Sequence, residues 1–79
     1  MGNVIILSDF VGSADVAMAV SRGVLTRMGH RALCLPTALI SGIWSQGTPV
    51  ELDTTDYLRA ALDSWARLGI RADGVLIGY

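Results

Sequence analysis

Ser8 and Asp9 are the residues best placed for chemistry in this 79-residue chain. They follow the apolar run Val4-Ile5-Ile6-Leu7, so a hydroxyl and a carboxylate stand together at the carboxyl end of an expected strand. There Asp9 can accept hydrogen bonds from a ligand hydroxyl or ring N–H, or it can cap its own turn. Gly12-Ser13-Ala14-Asp15 lies where a phosphate loop would open a helix. The G-x-G-x-x-G pattern is missing, however, and Asp15 would repel an anion at that helix start. His30 and Cys34 have no third ligand near them in sequence, so a surface imidazole and a packed thiol are expected rather than a metal site. Trp44 sits among glycines, where it can stack on an aromatic ligand or pin its loop to the body. Tyr79 follows a third apolar run and can flank a ligand at that strand end. Trp65 shares a helical stripe with Leu58, Leu62 and Leu68 and is expected in the core.

Composition narrows the chemistry further. The formal net charge is -1 and 52% of residues are apolar, which gives neither a basic patch for nucleic acid nor an acidic tail. All six basic residues are arginine, so no P-loop, Schiff-base or general-base lysine lies within the chain. Cys34 is the only cysteine, which excludes an internal disulfide and fits a reducing compartment, the cytoplasm. The N-terminal residues lack the basic flank and long apolar run of a signal peptide or membrane span.

These side chains need elements to position them. Val4 to Leu7 reads as a strand buried on both faces, followed by a turn over Ser8 to Ala14. Ser13 or Asp15 is placed to cap a helix running to about Met28, where Gly29 stops it. Its apolar face is expected at Val16, Val20, Val24 and Met28, widened by Ala17, Met18 and Leu25. Arg31 to Leu35 is a second strand, and Pro36 is expected to end its ladder pairing. Residues 37–53 then form a long connection, of the length often seen in lids. Thr54 or Thr55 opens a second helix, Gly69 ends it, and Gly74 to Ile77 is a third buried strand. The expected fold is α/β: a three-stranded parallel sheet with two crossover helices, in the order βαβαβ, half of a doubly wound domain. With a sheet face and an edge uncovered, residues 1–79 are expected to be a single N-terminal segment of an incomplete domain.

Five segments together resemble a known family. They are Ile6-Leu7-Ser8-Asp9-Phe10-Val11-Gly12, Arg27-Met28-Gly29-His30, Leu35-Pro36-Thr37-Ala38-Leu39-Ile40-Ser41, Trp65 to Gly69, and Gly78-Tyr79. In order and spacing they resemble the N-terminal part of pyridoxal kinases, in the bacterial pyridoxamine and pyridoxal kinase branch of the ribokinase superfamily. Two stretches depart from the family pattern. Gly42-Ile43-Trp44 stands where the family tends to have Asn-His-Thr, and Ala14 and Asp15 stand where its first loop usually carries a second glycine and a basic or polar residue.

The resemblance implies a ribokinase-like fold and an ATP- and Mg²⁺-dependent phosphorylation of pyridoxal, pyridoxine or pyridoxamine. It implies that Ser8 or Asp9 contacts ring substituents, that Ala38 and Ile40 line the ring pocket, and that Tyr79 flanks it under the loop carrying Trp44. The family's catalytic aspartate, anion hole and adenine-binding segments lie downstream of the stretch it shares with this chain. No catalytic residue is therefore expected here, and neither ATP nor Mg²⁺ is expected to bind this segment alone. A homodimer is implied as well. A non-catalytic α/β binding or interaction module is the alternative. A phosphoacceptor receiver domain would need an Asp at the end of the third strand and a lysine, where this chain has Gly78-Tyr79 and no lysine.

Overall fold

The β-branched and aliphatic run at the start of the chain builds the central strand. The computed structural model describes residues 2–78. Its strands are β1 (Asn3–Val11), β2 (Arg31–Ile40), β3 (Glu51–Asp53) and β4 (Gly74–Ile77). Two helices, α1 (Met18–Arg27) and α2 (Thr55–Arg67), connect them. The sheet order is β3-β2-β1-β4. β1 pairs in parallel with both β2 and β4, while β3 runs antiparallel to β2. Ile6 on β1 and Leu35 on β2 are the most deeply buried side chains.

The expected three-stranded parallel sheet is therefore corrected to a four-stranded mixed one, still α/β. The difference arises at Pro36, which does not end its strand. Pro36 stands opposite Ser8, the register then slips, and Phe10 pairs with Leu39. Between those pairs β2 spends one residue more than β1, so the missing proline N–H falls beside a bulge, where it breaks no regular ladder. β2 then continues to Ile40 and pairs Leu39 with Leu52 of β3. Thr37 to Ile40 thus belongs to a strand, and the long connection shrinks to residues 41–50 inside a hairpin.

The first crossover is also shifted. β1 runs on through Ser8 to Val11, so the chain turns over Gly12 to Ala17 rather than Ser8 to Ala14. α1 starts at Met18 with no side-chain cap from Ser13 or Asp15, after Ala17 at φ 51°. Both helices end as their glycines predict. Gly29 (φ 87°) and Gly69 (φ 75°) each take the left-handed conformation that closes the helix. His30 N–H then donates to the Leu25 carbonyl and Ile70 N–H to the Trp65 carbonyl.

The helix faces differ from expectation. α1 packs on β1 and β2 through buried Met18 and half-buried Leu25 and Ala17, while Val16, Val20, Val24 and Met28 face outward. The helix is apolar on two sides, and periodicity alone does not choose between them. α2 packs on β2 and does not touch α1. The two crossovers run in opposite directions from β1 and β2, so right-handed connections put the helices on opposite faces. Trp65 and Leu58 are half-buried rather than core, and Leu68 is exposed. Among the described residues β4 pairs only with β1, and its Val75, Leu76 and Ile77 are exposed.

Candidate functional site

In parallel sheets, ligands bind beyond the strand carboxyl ends, where the chain leaves neighbouring strands in opposite directions. Here β1 and β4 lie side by side and parallel, so their carboxyl ends point the same way. β1 feeds α1 toward the β2 side, and the return through α2 delivers β4 to the other side. Three chain segments meet there. Ser8 lies opposite Pro36, and Gly78 N–H donates to the Leu7 carbonyl at 2.8 Å. A methyl group on Gly78 would stand 3.1 Å from the Ser8 hydroxyl, so the absence of a side chain lets the two strand ends close together.

Ser8 is buried, and its Oγ donates to Asp9 Oδ1 at 3.3 Å. Asp9 is half-buried and lies within the register slip between the Ser8–Pro36 and Phe10–Leu39 pairs. Bulges of this kind re-aim side chains at sheet ends. The hydroxyl and carboxylate form one polar pair among apolar strand residues, suited to a ligand that offers both a donor and an acceptor.

Of the other predicted residues, Ala38 and Ile40 lie further along β2, opposite Asp53 and Glu51, and both are half-buried. Ile40 lines a concavity of about 310 Å³ with Phe10, Gly12, Ser41 and Val50. Trp44 opens a short 3-10 turn, Trp44–Gln46, and is 69% exposed. This turn is tied to the loop after β1. Ser13 Oγ donates to Gln46 Oε1 at 2.7 Å, and Ile43 N–H donates to the same oxygen at 3.4 Å. Ser41 N–H donates to the Val50 carbonyl and Val50 N–H to Ser41 Oγ, which closes the base of the hairpin. The loops after β1 and β2 therefore form one body at the same end of the sheet as Ser8 and Asp9. Tyr79 lies outside the described residues.

A larger cavity, about 490 Å³, opens beside this end and was missed in the sequence. Pro36, Leu39 and Leu52 form its floor, and Asp53 to Tyr57 form its wall. It exists because β2 continues past Pro36 and brings β3 and the start of α2 alongside. The signal available in the sequence was the apolar alternation Leu39–Leu52 about a turn containing Gly47 and Pro49. At its rim Asp53 Oδ1 accepts from Thr55 N–H at 3.0 Å and from the Thr55 hydroxyl at 2.6 Å. Those two bonds hold the Asp53 carboxyl below the usual carboxylate range.

Elsewhere, Cys34 is half-buried and burial pushes its thiol up, against a smaller opposing pull from Arg22. His30 is half-buried, and its Nδ1 accepts from Gly2 N–H at 3.3 Å. Among the described residues, no three of His, Cys, Asp or Glu gather as a metal site would require. No helix among them is long and apolar enough to cross a membrane.

No protein-family model matches the chain, and no curated protein matches it. Solved structures do. Pyridoxal kinase from Lactobacillus plantarum is 29% identical and superposes over 100% of this chain with a TM-score of 0.93. A protein assigned as a phosphomethylpyrimidine kinase from Bacteroides thetaiotaomicron, in a crystal form with pyridoxal, is 27% identical over 98% of the chain, with a TM-score of 0.89. Pyridoxal kinase of Entamoeba histolytica with PLP shares the fold, at 19% identity and a TM-score of 0.75. The chain spans only 27% to 29% of the length of these neighbours. The likeness to pyridoxal kinases read from the residues thus extends to the backbone, and the fold is kinase-like.

Proposed function

We propose that this chain is the vitamer-binding side of a pyridoxal kinase-like protein, which transfers a phosphoryl group from ATP to the hydroxymethyl group of pyridoxal, pyridoxine or pyridoxamine. The observation that carries the reading is the match to a pyridoxal kinase along the whole chain, with a TM-score of 0.93. The Ser8–Asp9 pair, on β1 beside the end of β4, supports it. Ser8 and Asp9 take the polar substituents of the ring. Ala38 and Ile40 supply apolar wall, and Trp44 and Tyr79 flank the ring.

Phosphoryl transfer needs an alcohol held in line with the phosphate, a base, and electrostatic clamps. This chain is assigned the first task alone. It has no lysine. ATP supplies the phosphoryl group and Mg²⁺ neutralises its charge. Both are proposed to be held by parts of the protein outside this segment. Residues 1–79 are then the N-terminal part of an incomplete domain that works in the cytoplasm and pairs as a homodimer. Neither nucleic acid nor membrane is a partner.

The test is direct. Purified chain is titrated with pyridoxal and followed by the vitamer's absorbance, then mixed with ATP, Mg²⁺ and pyridoxal. Binding that weakens in Asp9→Ala and Ser8→Ala, with no phosphorylated product, is expected. Turnover that survives removal of contaminating kinase and disappears in Asp9→Ala would overturn the assignment of catalysis to other parts. Binding indifferent to both substitutions would remove the vitamer site.

One observation favours a second reading, a non-catalytic interaction module. The outer edge of β4 is unpaired by any described strand, and Val75, Leu76 and Ile77 are exposed on it. Absence of pyridoxal binding, together with capture of an added strand at β4, would favour that reading.

A further inference from the structure

The strands that carry Ser8 and Pro36 begin with polar residues at the opposite end of the sheet. Asn3 opens β1, Arg31 opens β2, and the two stand side by side in the register. Such partners place their side chains on one face of the sheet, and Leu33, two residues on, shares it. The chain leaving α2 returns along this face. Asn3, Arg31 and Leu33, with Gly69, Ile70 and Arg71, line a concavity of about 360 Å³. This lining holds two guanidiniums and, among the described residues, no carboxylate, in a chain whose net charge is -1. Hydrogen bonds fix the backbone beneath both arginines. Arg31 N–H donates to the Gly2 carbonyl at 2.8 Å, and Asn3 Nδ2 donates to the Arg71 carbonyl at 3.0 Å. Asp73, the carboxylate nearest Arg71 in sequence, has its Oδ2 occupied by Asn3 N–H at 2.7 Å. The carbonyls that close α2 are occupied too, since Gly69 N–H donates to Ala66 and Ile70 N–H to Trp65.

We propose that this concavity binds an aromatic phosphomonoester, with the phosphate between Arg31 and Arg71 and the ring on Leu33 and Ile70. Guanidinium forks match phosphate oxygens in pairs, and two of them balance the charge of a dianion. Leu33 and Ile70 supply an apolar floor that an inorganic ion would leave unused. The volume suits one ring with its phosphate, a small ligand rather than a macromolecule. Asn3 is a positioning residue here, because its amide holds the Arg71 backbone beside the strand start that faces Arg31. The site is separate from the Ser8–Asp9 pair. The rise along β1, about 3.3 Å per residue, puts roughly 16 Å between Asn3 and Ser8. The inference does not depend on the kinase reading.

Calorimetric titration of the 79-residue chain with phenyl phosphate at low salt tests this, with inorganic phosphate and phenol as comparison ligands. Phenyl phosphate is expected to bind about tenfold more tightly than inorganic phosphate, and phenol not to bind. Arg31→Gln and Arg71→Gln should each weaken phenyl phosphate about tenfold. Arg31→Lys keeps the charge, loses the fork and should recover only part of that loss. Leu33→Ala should lower the affinity for phenyl phosphate and leave that for inorganic phosphate as it was. Arg59→Gln, an exposed arginine of α2 outside the concavity, is the control for unspecific attraction. Circular dichroism verifies that each variant is folded. In NMR spectra the amides of Arg31, Leu33 and Arg71 should move with added ligand, and those of Ser8 and Asp9 should not. A parent chain that binds no phenyl phosphate overturns the proposal. So does equal affinity for inorganic phosphate, a loss in Arg59→Gln as large as in Arg31→Gln, or signal changes centred on Ser8 and Asp9.

Discussion

The Thr54 hydroxyl donates a 2.6 Å hydrogen bond to the carbonyl of Pro36, 18 residues earlier in the chain. Thr54 is buried although it stands at the start of α2, and its hydroxyl is spent on β2 rather than on capping its own helix. The cap is left to Asp53, the residue before it. This bond ties the start of α2 to β2 beside the cavity of about 490 Å³ that Pro36 and Thr54 both line.

Thr54→Val keeps the shape and removes the donor, leaving a part-buried carbonyl without it. A loss of about 1–2 kcal/mol in unfolding free energy is expected. Thr54→Ser, which keeps the hydroxyl, should recover most of that loss. Urea unfolding of the two variants checks the prediction, and equal losses would assign the effect to packing instead.

Acid should loosen the start of α2 through Asp53. Its folded carboxyl lies below the ordinary value because the Thr55 hydroxyl and N–H both donate to its ionised form. A group depressed on folding contributes stability above its unfolded pKa, about 3.9, and that contribution fades as pH falls through the folded value. The parent chain should therefore lose helical signal more steeply below about pH 4 than Asp53→Ala does. Carboxyl chemical shifts against pH give the midpoint. An Asp53 midpoint at or above the ordinary value would remove the capping account.

The two tryptophans should separate in quenching. Trp44 is 69% exposed, whereas Trp65 is half-buried. In Trp65→Phe the remaining fluorescence should be quenched readily by acrylamide, and in Trp44→Phe less so. Pyridoxal should protect Trp44 and leave Trp65 unchanged. Equal accessibility of both would contradict the placement of Trp44 on the exposed turn.

Gly78→Ala tests the close approach of two strand ends. Its methyl would stand 3.1 Å from Ser8 Oγ and must displace that hydroxyl or the strand end. Pyridoxal affinity should fall by about fivefold, the worth of one misplaced hydrogen bond of about 1 kcal/mol. Gly74→Ala on the same strand is the control, because a Cβ there meets nothing within 4 Å. If both variants bind like the parent, Ser8 does not contact the ligand.

Much of this protein was legible in local chemistry. Alternating apolar runs and helical stretches gave the α/β class, since each element must bury its own apolar side. Gly29 and Gly69 marked both helix ends, because the left-handed closing residue favours glycine wherever the helix is packed. Ser8-Asp9 was expected at a strand carboxyl end because polarity follows an uninterrupted apolar run, but β1 runs on to Val11 and the pair lies within the strand.

What the tertiary structure decided was partnership. Pro36 lacks an N–H in any context, but only the slip against Ser8 and Phe10 shows a place in the strand where that loss is tolerated. β3 is three residues long, and it exists as a strand only because Leu39 stands opposite Leu52. α1 carries apolar residues on two sides, and only its contacts with β1 and β2 select Met18 and Leu25 over the valine stripe. Trp65 has helical spacing to Leu58, Leu62 and Leu68, yet α2 rests on β2 alone and leaves it half-covered. Spacing along one element defines which residues share a side. Which side is buried depends on neighbours that local sequence does not contain.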